Sequence, residues 1–344
     1  MPHLADRSER SLTPLAFLCL ALLLFGRLSF AQDLLDTAPS LRGFSVRKEV
    51  NEVNVLFTAS HKGKPVGNLA ASNIVIQDDS KPPAAVVAFR TRRELPLRVG
   101  LVIDTSDSVT SRFHFEQDAA STFLSQAVES EDLGFALGFS DQLRLTQDFA
   151  SDHGLLSKGV QRLSLGGGTA LYDAILAACR KLVDRPELDT VARVLVVMSD
   201  GQNNAGKSKL DDAIGAAQEA GVTIFAVGTN YSTYSLEDKD PESEEGKKSL
   251  RKLADQTGGR ALFPPDPKEV GLAFARIGDE LRNRYEISYT PADFKPDGHY
   301  RKIEIIAHVS GQKLEVRARK GYLAKASASL VSNPGLVIHQ DQQP

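Results

Sequence analysis

The sequence predicts an α/β fold in which a doubly wound, mainly parallel sheet is inserted between two β segments that form a small β-sandwich. From Leu97 to Arg284, apolar strand patterns alternate with helical patterns, as in a parallel sheet with helices on both faces. On either side of this region, apolar and polar residues alternate over short stretches, as in half-exposed strands. At 344 residues the chain is long enough for two domains.

The first 31 residues have the pattern of a secretory signal peptide. Arg7 and Arg10 precede an apolar run, Leu15–Phe25, and Ser29–Ala31 supplies a small-x-small cleavage site. The run is shorter than the about 20 apolar residues that a membrane-spanning helix needs. We therefore expect a periplasmic or secreted protein with no membrane span after cleavage. A retained anchor is the alternative.

Residues 33–95 predict the first half of the sandwich. Apolar residues alternate with polar ones around Val55, Ile76 and Val87, and the stretches between them are turn-forming. Three short strands cannot bury both faces of a sheet by themselves. Residues 285–323 show the same alternation, so we predict that the two flanks pair with each other into one sandwich.

Residues 97–284 form the predicted α/β domain. The expected strands are Val99–Asp104, Leu133–Phe139, Leu143–Leu145, Val194–Met198, Val222–Val227 and Ala261–Phe263. The expected helices are Phe113–Ala127, Gly154–Leu163, Leu171–Leu182, Leu210–Ala220, Lys247–Gln256 and Val270–Arg284.

Three stretches add detail to this outline. Four residues recur at helical spacing and indicate the apolar face of the first helix: Phe115, Ala119, Phe123 and Ala127. The polar stretch Asn230–Lys248 is predicted to be a loop that interrupts the alternation. Residues 324–344 lack periodicity and are predicted to be a disordered tail.

Composition excludes several partners and kinds of site. The formal net charge is −3 and no basic cluster is present, so neither nucleic acid nor an anionic membrane surface is expected as a partner. Cys179 is the only cysteine after the predicted signal peptide, which excludes a disulfide framework. The seven histidines lack the spacing of zinc ligands.

The strongest candidate for a functional site follows the predicted strand Val99–Asp104. This strand ends in Asp104-Thr105-Ser106-Asp107-Ser108, a D-x-S-x-S turn. In open α/β sheets, ligands bind beyond the carboxyl ends of the strands. Carboxylate and hydroxyl oxygens suit a hard divalent cation. The same residues could instead form only a strand end followed by a helix cap.

Two later stretches offer further oxygen ligands. Gly166–Thr169 places another hydroxyl just before a predicted helix, and its glycines allow close backbone approach. The apolar strand Val194–Met198 ends in Ser199-Asp200-Gly201, which gives a second carboxylate at a strand end. If the two strands are neighbours, five side chains converge on one point: Asp104, Ser106, Ser108, Thr169 and Asp200.

This combination resembles the von Willebrand factor type A domain and its metal-ion-dependent adhesion site. The site of that family has a D-x-S-x-S turn, a Thr from a second loop and an Asp from a third loop, and all five positions match here. The resemblance covers residues 97–284. The flanking stretches LPLRVGLVIDTSDS, RNRYEISYTPADFKPDGHYRKIEI and VRARKGYLA are similar to those of bacterial exported proteins described as von Willebrand factor A-related.

The resemblance implies how the site would work. In the family, the two Ser and the Thr coordinate the cation, and the two Asp act mostly through water. The cation keeps an open position that attracts a carboxylate, so the implied partner is a protein that offers an Asp or Glu. Mg²⁺ is the favoured cation, with Ca²⁺ or Mn²⁺ as alternatives. The sequence therefore predicts an adhesion-type protein-binding module that is not an enzyme and has no catalytic residues.

Two other functions stay open. The protein could be a structural module of an envelope assembly, in which the metal only stabilises the fold. Residues 201–208 also match the phosphate-binding pattern G-x-x-x-x-G-K-[ST]. In such a nucleotide-binding hydrolase, Lys207 would contact phosphates, and Ser208 and Asp104 would hold Mg²⁺. Two points argue against this function. The loop follows the carboxylate of Asp104 in the chain, and an exported protein normally meets no ATP.

Overall fold

The computed structural model describes residues 52–231, 241–325 and 338–340. The predicted signal peptide, the start of the first flank and most of the predicted tail lie outside these residues. In the described part of the chain, no helix is long and apolar enough to cross a membrane.

Strands and helices alternate along the α/β region as predicted, and their ends differ from the predicted ones by six residues at most. In chain order the strands are β1 (Val53–His61), β2 (Lys64–Pro65), β3 (Ile74–Asp78), β4 (Ala85–Thr91), β5 (Leu97–Asp104), β6 (Leu133–Phe139), β7 (Leu143–Ala150), β8 (Ala192–Ser199), β9 (Val222–Gly228), β10 (Ala261–Leu262), β11 (Arg284–Thr290), β12 (Tyr300–Val309), β13 (Gln312–Lys313), β14 (Glu315–Ala318), β15 (Gly321–Leu323) and β16 (Ile338–Gln340). The helices are α1 (Phe113–Ala127), α2 (His153–Gln161), α3 (Leu171–Asp184), α4 (Leu210–Ala220), α5 (Pro241–Thr257) and α6 (Val270–Arg282).

The α/β domain is built on a sheet with the strand order β10-β9-β8-β5-β6-β7-β16. Strands β5, β6, β8, β9 and β10 are parallel, whereas β7 runs antiparallel to β6. Every residue of β5 is buried, because helices cover both faces of the sheet. Leu101 and Ile103 pack with residues of α1, α2 and α6, whereas Val102 packs with residues of α3, α4 and α5. This arrangement confirms the predicted doubly wound fold.

The two flanks pair with each other into a sandwich, as predicted. β1 precedes the α/β domain and β11 follows it, yet they are antiparallel neighbours in the sheet β14-β1-β11-β4, with Phe57 opposite Tyr285. A second sheet contains β3, β12, β13 and β15. Both sheets contribute to one apolar core that includes Val55, Ile287 and Ile305. The α/β domain is therefore inserted between the two halves of the sandwich.

A buried carboxylate connects the two sheets of the sandwich. Asp78, at the end of β3, accepts a hydrogen bond from Arg301 Nε at 2.6 Å and from the hydroxyls of Tyr289 and Tyr322 at 2.9 Å each. Tyr289 belongs to the first sheet and the other three residues to the second. The charge of Asp78 is thus buried together with a cationic partner and two further donors, which offsets its loss of hydration.

Arg284 joins the sandwich to the α/β domain. It begins β11 directly after α6, and its guanidinium donates to the carbonyl oxygens of Leu281 at 2.6 Å and Leu95 at 2.7 Å. Leu95 lies just before β5. The sandwich therefore packs at the amino end of the central strand, and the carboxyl end of β5 lies at the opposite edge of the sheet.

The predicted apolar face of α1 is wrong at its first residue. Phe115 is 58% exposed, whereas Glu116 is fully buried. The buried positions of the helix are Phe113, Glu116, Gln117, Ala120, Ser121, Phe123 and Leu124. The sequence pattern favoured Phe115 because a carboxylate is rarely buried unless it is paired.

Two further predictions are corrected. The second half of the predicted loop Asn230–Lys248 is helical, because α5 begins at Pro241, a residue that suits the first turn of a helix. Within the predicted disordered tail, Ile338–Gln340 is a strand that pairs in parallel with Leu143–Leu145 of β7. The unpaired backbone groups of β7, which would otherwise form an edge of the sheet, explain this pairing. Residues 232–240, 326–337 and 341–344 lie outside the described part.

Replacing Asp78 by Ala is expected to lower the free energy of unfolding by about 3–5 kcal/mol, because Arg301 would remain as a buried charge without its partner. Urea denaturation measures this quantity. Asp293 provides a matched control, since it pairs with Lys81 in an exposed ion pair. D293A should leave the free energy of unfolding unchanged, and equal losses in both variants would contradict the role assigned to Asp78.

Candidate metal centre

Asp104 is held in place from two sides at the carboxyl end of β5. Its Oδ1 accepts a hydrogen bond from the amide of Ser106 at 2.9 Å, which closes the D-x-S-x-S turn. Its Oδ2 accepts from the hydroxyl of Ser199 at 2.9 Å, and Ser199 is the last residue of β8. The parallel pairing of β5 with β8 brings these groups to the same edge of the sheet.

The turn and the loop after β8 place four of the five predicted residues together. The hydroxyl oxygens of Ser106 and Ser108 lie 3.0 Å apart. Ser108 Oγ also lies 3.5 Å from Asp200 Oδ2, at the limit of a hydrogen bond. Asp200 is oriented by the amide of Gln202, which donates to its Oδ1 at 3.0 Å.

Thr169 lies on a loop at the border of this cluster. It is buried, and its amide donates to Asn204 Oδ1 at 2.8 Å. The loop contacts the D-x-S-x-S turn through the carbonyl oxygen of Gly167, which accepts from the amide of Asp107 at 3.1 Å. Among the described residues, the Thr169 hydroxyl hydrogen-bonds to none of the other four predicted ligands. The structure thus places Thr169 beside the cluster through backbone contacts.

Helix α5 supports the loop that carries Asp200. A Cβ on Gly201 would lie 2.3 Å from the carbonyl oxygen of Gly246, and a Cβ on Gly246 would lie 2.2 Å from the carbonyl oxygen of Asp200. Gly201 also has a φ of +85°, which residues with a side chain rarely adopt. Sequence reasoning missed this contact because Gly246 fell within a predicted loop.

Burial and the nearby charge of Asp200 make the carboxylate of Asp104 costly to ionise. The pKa of Asp104 is raised to about 6, first by burial and further by the charge of Asp200, while hydrogen bonds from Ser106 and Ser199 lower it. In the part of the chain that the structure describes, Asp104 and Asp200 take part in no ion pair. A cation bound between them would relieve this cost.

The oxygen atoms of the cluster suit a hard divalent cation. Mg²⁺ and Ca²⁺ prefer carboxylate and hydroxyl oxygens of this kind. Within the described residues, no group of three or more His, Cys, Asp or Glu side chains could hold a metal ion. A cation at this position would therefore depend on the Ser and Thr hydroxyls as well as on the two carboxylates.

Glu116 is a buried acidic residue near the cluster that sequence reasoning missed. Its Oε1 accepts hydrogen bonds from the Tyr231 hydroxyl at 2.8 Å and from Arg112 Nε at 3.1 Å. Its Oε2 is buried and has no hydrogen-bond partner in the described structure. Burial raises the pKa of Glu116 to about 7, and the charge of Asp104 contributes to this rise. The one feature of the sequence that could have indicated its burial is its spacing of four residues from Ala120, which places both on the same face of the helix.

The loop 201–208 does not form a phosphate-binding cradle. In such a loop the backbone amides point at the phosphates. Here the amides of Lys207 and Ser208 each donate to a carboxylate oxygen of Asp173 at 2.9 Å. Asn203 Oδ1 accepts from the amide of Tyr172 at 3.2 Å. These contacts fasten the loop to the start of α3 and argue against nucleotide binding.

Comparison with known families matches residues 99–275, just over half of the chain, to the von Willebrand factor type A domain. Both carboxylates of the cluster lie within the matched region. An uncharacterized protein of Borreliella burgdorferi is 23% identical over 249 residues. This alignment covers 71% of the chain and 64% of the relative, so the chain spans less than two thirds of that protein's length.

Several solved structures are similar to part of the chain. The conserved hypothetical protein BatB from Bacteroides thetaiotaomicron is 17% identical, with a TM-score of 0.42, covering 54% of this chain and 98% of that chain. The vWF domain of the type V pili tip protein Mfa5 from Porphyromonas gingivalis is 14% identical, with a TM-score of 0.42, and the match covers 54% of this chain and 94% of that chain. A von Willebrand factor type A protein from Catenulispora acidiphila is 14% identical, with a TM-score of 0.44, and the match covers 80% of this chain and 72% of that chain.

Without divalent cations, the protein should become less stable as the pH rises from about 5 to 8. The pKa of Glu116 is raised from its ordinary value of 4.5 to about 7 in the folded state. The folded protein therefore binds this proton more tightly than the unfolded chain does. The resulting stability is fully present below about pH 4.5 and is lost as the pH rises through about 7. The expected loss is on the order of 3 kcal/mol.

Melting temperatures in EDTA at pH 5.5, 7 and 8.5 measure this dependence. In E116Q the side chain no longer titrates, so the melting temperature should fall less steeply with pH than in the wild type. An E116Q profile as steep as that of the wild type would contradict the assignment to Glu116.

Proposed function

The chain belongs to the von Willebrand factor type A domain family, and from this premise we propose that it is an exported, adhesion-type module that binds a protein partner through a divalent cation. The observation that carries the proposal is the cluster at the carboxyl ends of β5 and β8. There Asp104, Ser106, Ser108 and Asp200 gather at one edge of the sheet, and neither carboxylate has a cationic partner among the described residues.

The residues of the cluster divide into two groups. Ser106, Ser108 and Thr169 would hold the cation through their hydroxyl oxygens. Asp104 and Asp200 would supply negative charge, mostly through water, and hydrogen bonds from Ser199 and Gln202 keep their carboxylates oriented. We propose Mg²⁺ as the cation, with Ca²⁺ or Mn²⁺ as alternatives, because all three accept oxygen ligands.

The proposed partner is a protein that presents an Asp or Glu side chain. Two carboxylates and neutral hydroxyls leave a divalent cation with an open position, which an external carboxylate can fill. The site lies at the edge of the sheet away from the sandwich, where a partner can approach it. We propose no catalytic role for the cluster.

The proposed location is the periplasm or the medium outside the cell. The support is the leader pattern of residues 1–31, which lie outside the described structure. Cys179 is a buried free thiol in a helix, which suits a role as a small core residue. The alternative function, a structural module with a purely stabilising metal, shares this location and differs in what removal of the metal does.

Cation titration of the wild type and of two variants tests the proposal. Isothermal titration with Mg²⁺, Ca²⁺ and Mn²⁺ should show saturable binding in the wild type. D104A should weaken binding by about 100-fold or more, and S106A by about tenfold, because each loses an oxygen of the cluster. S121A is a matched control: Ser121 Oγ lies 2.8 Å from Ser157 Oγ in a similar hydroxyl pair away from the site. This control should bind cations like the wild type.

A short acidic peptide tests the partner chemistry. An acetylated, amidated Gly-Asp-Gly peptide should shift amide NMR signals of residues 105–108 and 200–204 in Mg²⁺ but not in EDTA, and an Asn-containing peptide should not shift them. Absence of cation binding by the wild type would refute the proposal. Cation binding that raises the melting temperature strongly, together with peptide shifts that do not depend on Mg²⁺, would favour the stabilising-metal alternative.

A further inference from the structure

Arg112 and Glu116 form an ion pair whose carboxylate is fully buried beside the candidate metal centre. Arg112 Nε lies 3.1 Å from Glu116 Oε1, and the Glu116 side chain has no exposed surface. The Tyr231 hydroxyl donates to the same oxygen, so one carboxylate receives both donors. The other oxygen, Oε2, has no partner in the described structure, although a buried charge usually has its hydrogen bonds satisfied.

Helix stability does not explain this pair. Arg112 directly precedes α1, and a positive charge at the amino end of a helix is unfavourable because of the helix dipole. An acidic residue followed by a basic one four positions later would be the favourable order, and here the order is reversed. The pair therefore has a different physical reason to be at this position.

Contacts connect the pair to the carboxylates of the site. Arg112 Nη2 lies 3.5 Å from the Thr229 hydroxyl, and the Arg112 guanidinium lies 5.5 Å from the centre of the Tyr231 ring. The amide of Thr229 donates to the carbonyl oxygen of Ser199 at 3.1 Å. Ser199 in turn donates to Asp104. The guanidinium is thus linked to Asp104 through Thr229 and Ser199.

We propose that Arg112 and Glu116 are a charge-balanced pair that sets the cation affinity of the site. Glu116 cancels the charge of Arg112 and, with Thr229 and Tyr231, holds the guanidinium away from the carboxylates. Glu116 is a positioning residue in this account, since it acts on the cation through Arg112. The inference rests on the proposed function, because it requires that the site binds a cation.

Two variants separate charge from shape. E116Q keeps the size of the side chain but leaves the Arg112 charge uncompensated, so the dissociation constant for Mg²⁺ should rise on the order of tenfold. The double variant R112Q/E116Q has the same net charge as the wild-type pair and should bind Mg²⁺ within about twofold of the wild type. The E116Q defect should also shrink at 0.5 M NaCl, because salt screens the repulsion. Isothermal titration at pH 8 measures the Mg²⁺ dissociation constants of the wild type, E116Q and R112Q/E116Q.

An ion pair on β5, the strand that carries Asp104, gives the control. Arg98 of β5 binds Glu187 through Nε at 2.7 Å and Nη2 at 2.9 Å, and both side chains are about 10% exposed. Arg98 lies six residues before Asp104, which corresponds to about 20 Å along a strand. E187Q should lower the melting temperature, because it breaks the ion pairs of Glu187 with both Arg98 and Arg185, and leave Mg²⁺ affinity within about twofold of the wild type.

The outcomes distinguish this inference from the proposed function. If the wild type binds no cation, the proposed function fails and the inference fails with it. If the wild type binds Mg²⁺ but E116Q binds it equally well and only melts earlier, the pair is structural and the inference alone is overturned. Equal weakening in E116Q and R112Q/E116Q would show that shape, not charge, matters, and would also overturn it.

Discussion

The register between β5 and β8 is the constraint on which the candidate site depends. Ile103 pairs with Met198, so the next residues, Asp104 and Ser199, meet at the same edge of the sheet and form a hydrogen bond. A slip of one residue would turn every side chain of one strand to the opposite face. Because both strands are buried by helices on both faces, such a slip would disrupt two apolar clusters at once. Packing far from the site therefore fixes the position of its carboxylates.

The sandwich anchors the α/β domain at the end of the sheet opposite the site. The chain leaves the sandwich after β4 and returns at β11, and these two strands are neighbours, with Thr91 opposite Tyr285. The whole α/β domain is thus an insertion between adjacent strands. Arg284 stabilises the point where the chain returns to the sandwich, because its guanidinium donates hydrogen bonds to the carbonyl oxygens of Leu281 in α6 and of Leu95 before β5. This topology leaves the carboxyl ends of β5 and β8 facing away from the sandwich.

Most of the charged side chains at the site are negative. Asp104, Asp200 and Glu116 lie near one another, and Arg112 is the cationic side chain that pairs within this group. The charge of Asp200 raises the pKa of Asp104, and the charge of Asp104 raises the pKa of Glu116, because each carboxylate is buried near another one. A divalent cation supplies positive charge in the proposed function.

The sequence by itself determined the doubly wound fold and the pairing of the two flanks, because apolar periodicity and turn chemistry are local properties that reflect burial. It also singled out five residues as candidate ligands, which remain a prediction. It did not reveal that Glu116 rather than Phe115 faces inward, because a buried carboxylate depends on Tyr231, over 100 residues away in the chain. Nor did it reveal that α5 begins at Pro241 and presses Gly246 against Gly201. Only the tertiary structure decided these points, since they arise from contacts between segments that are distant in sequence and that no local pattern encodes.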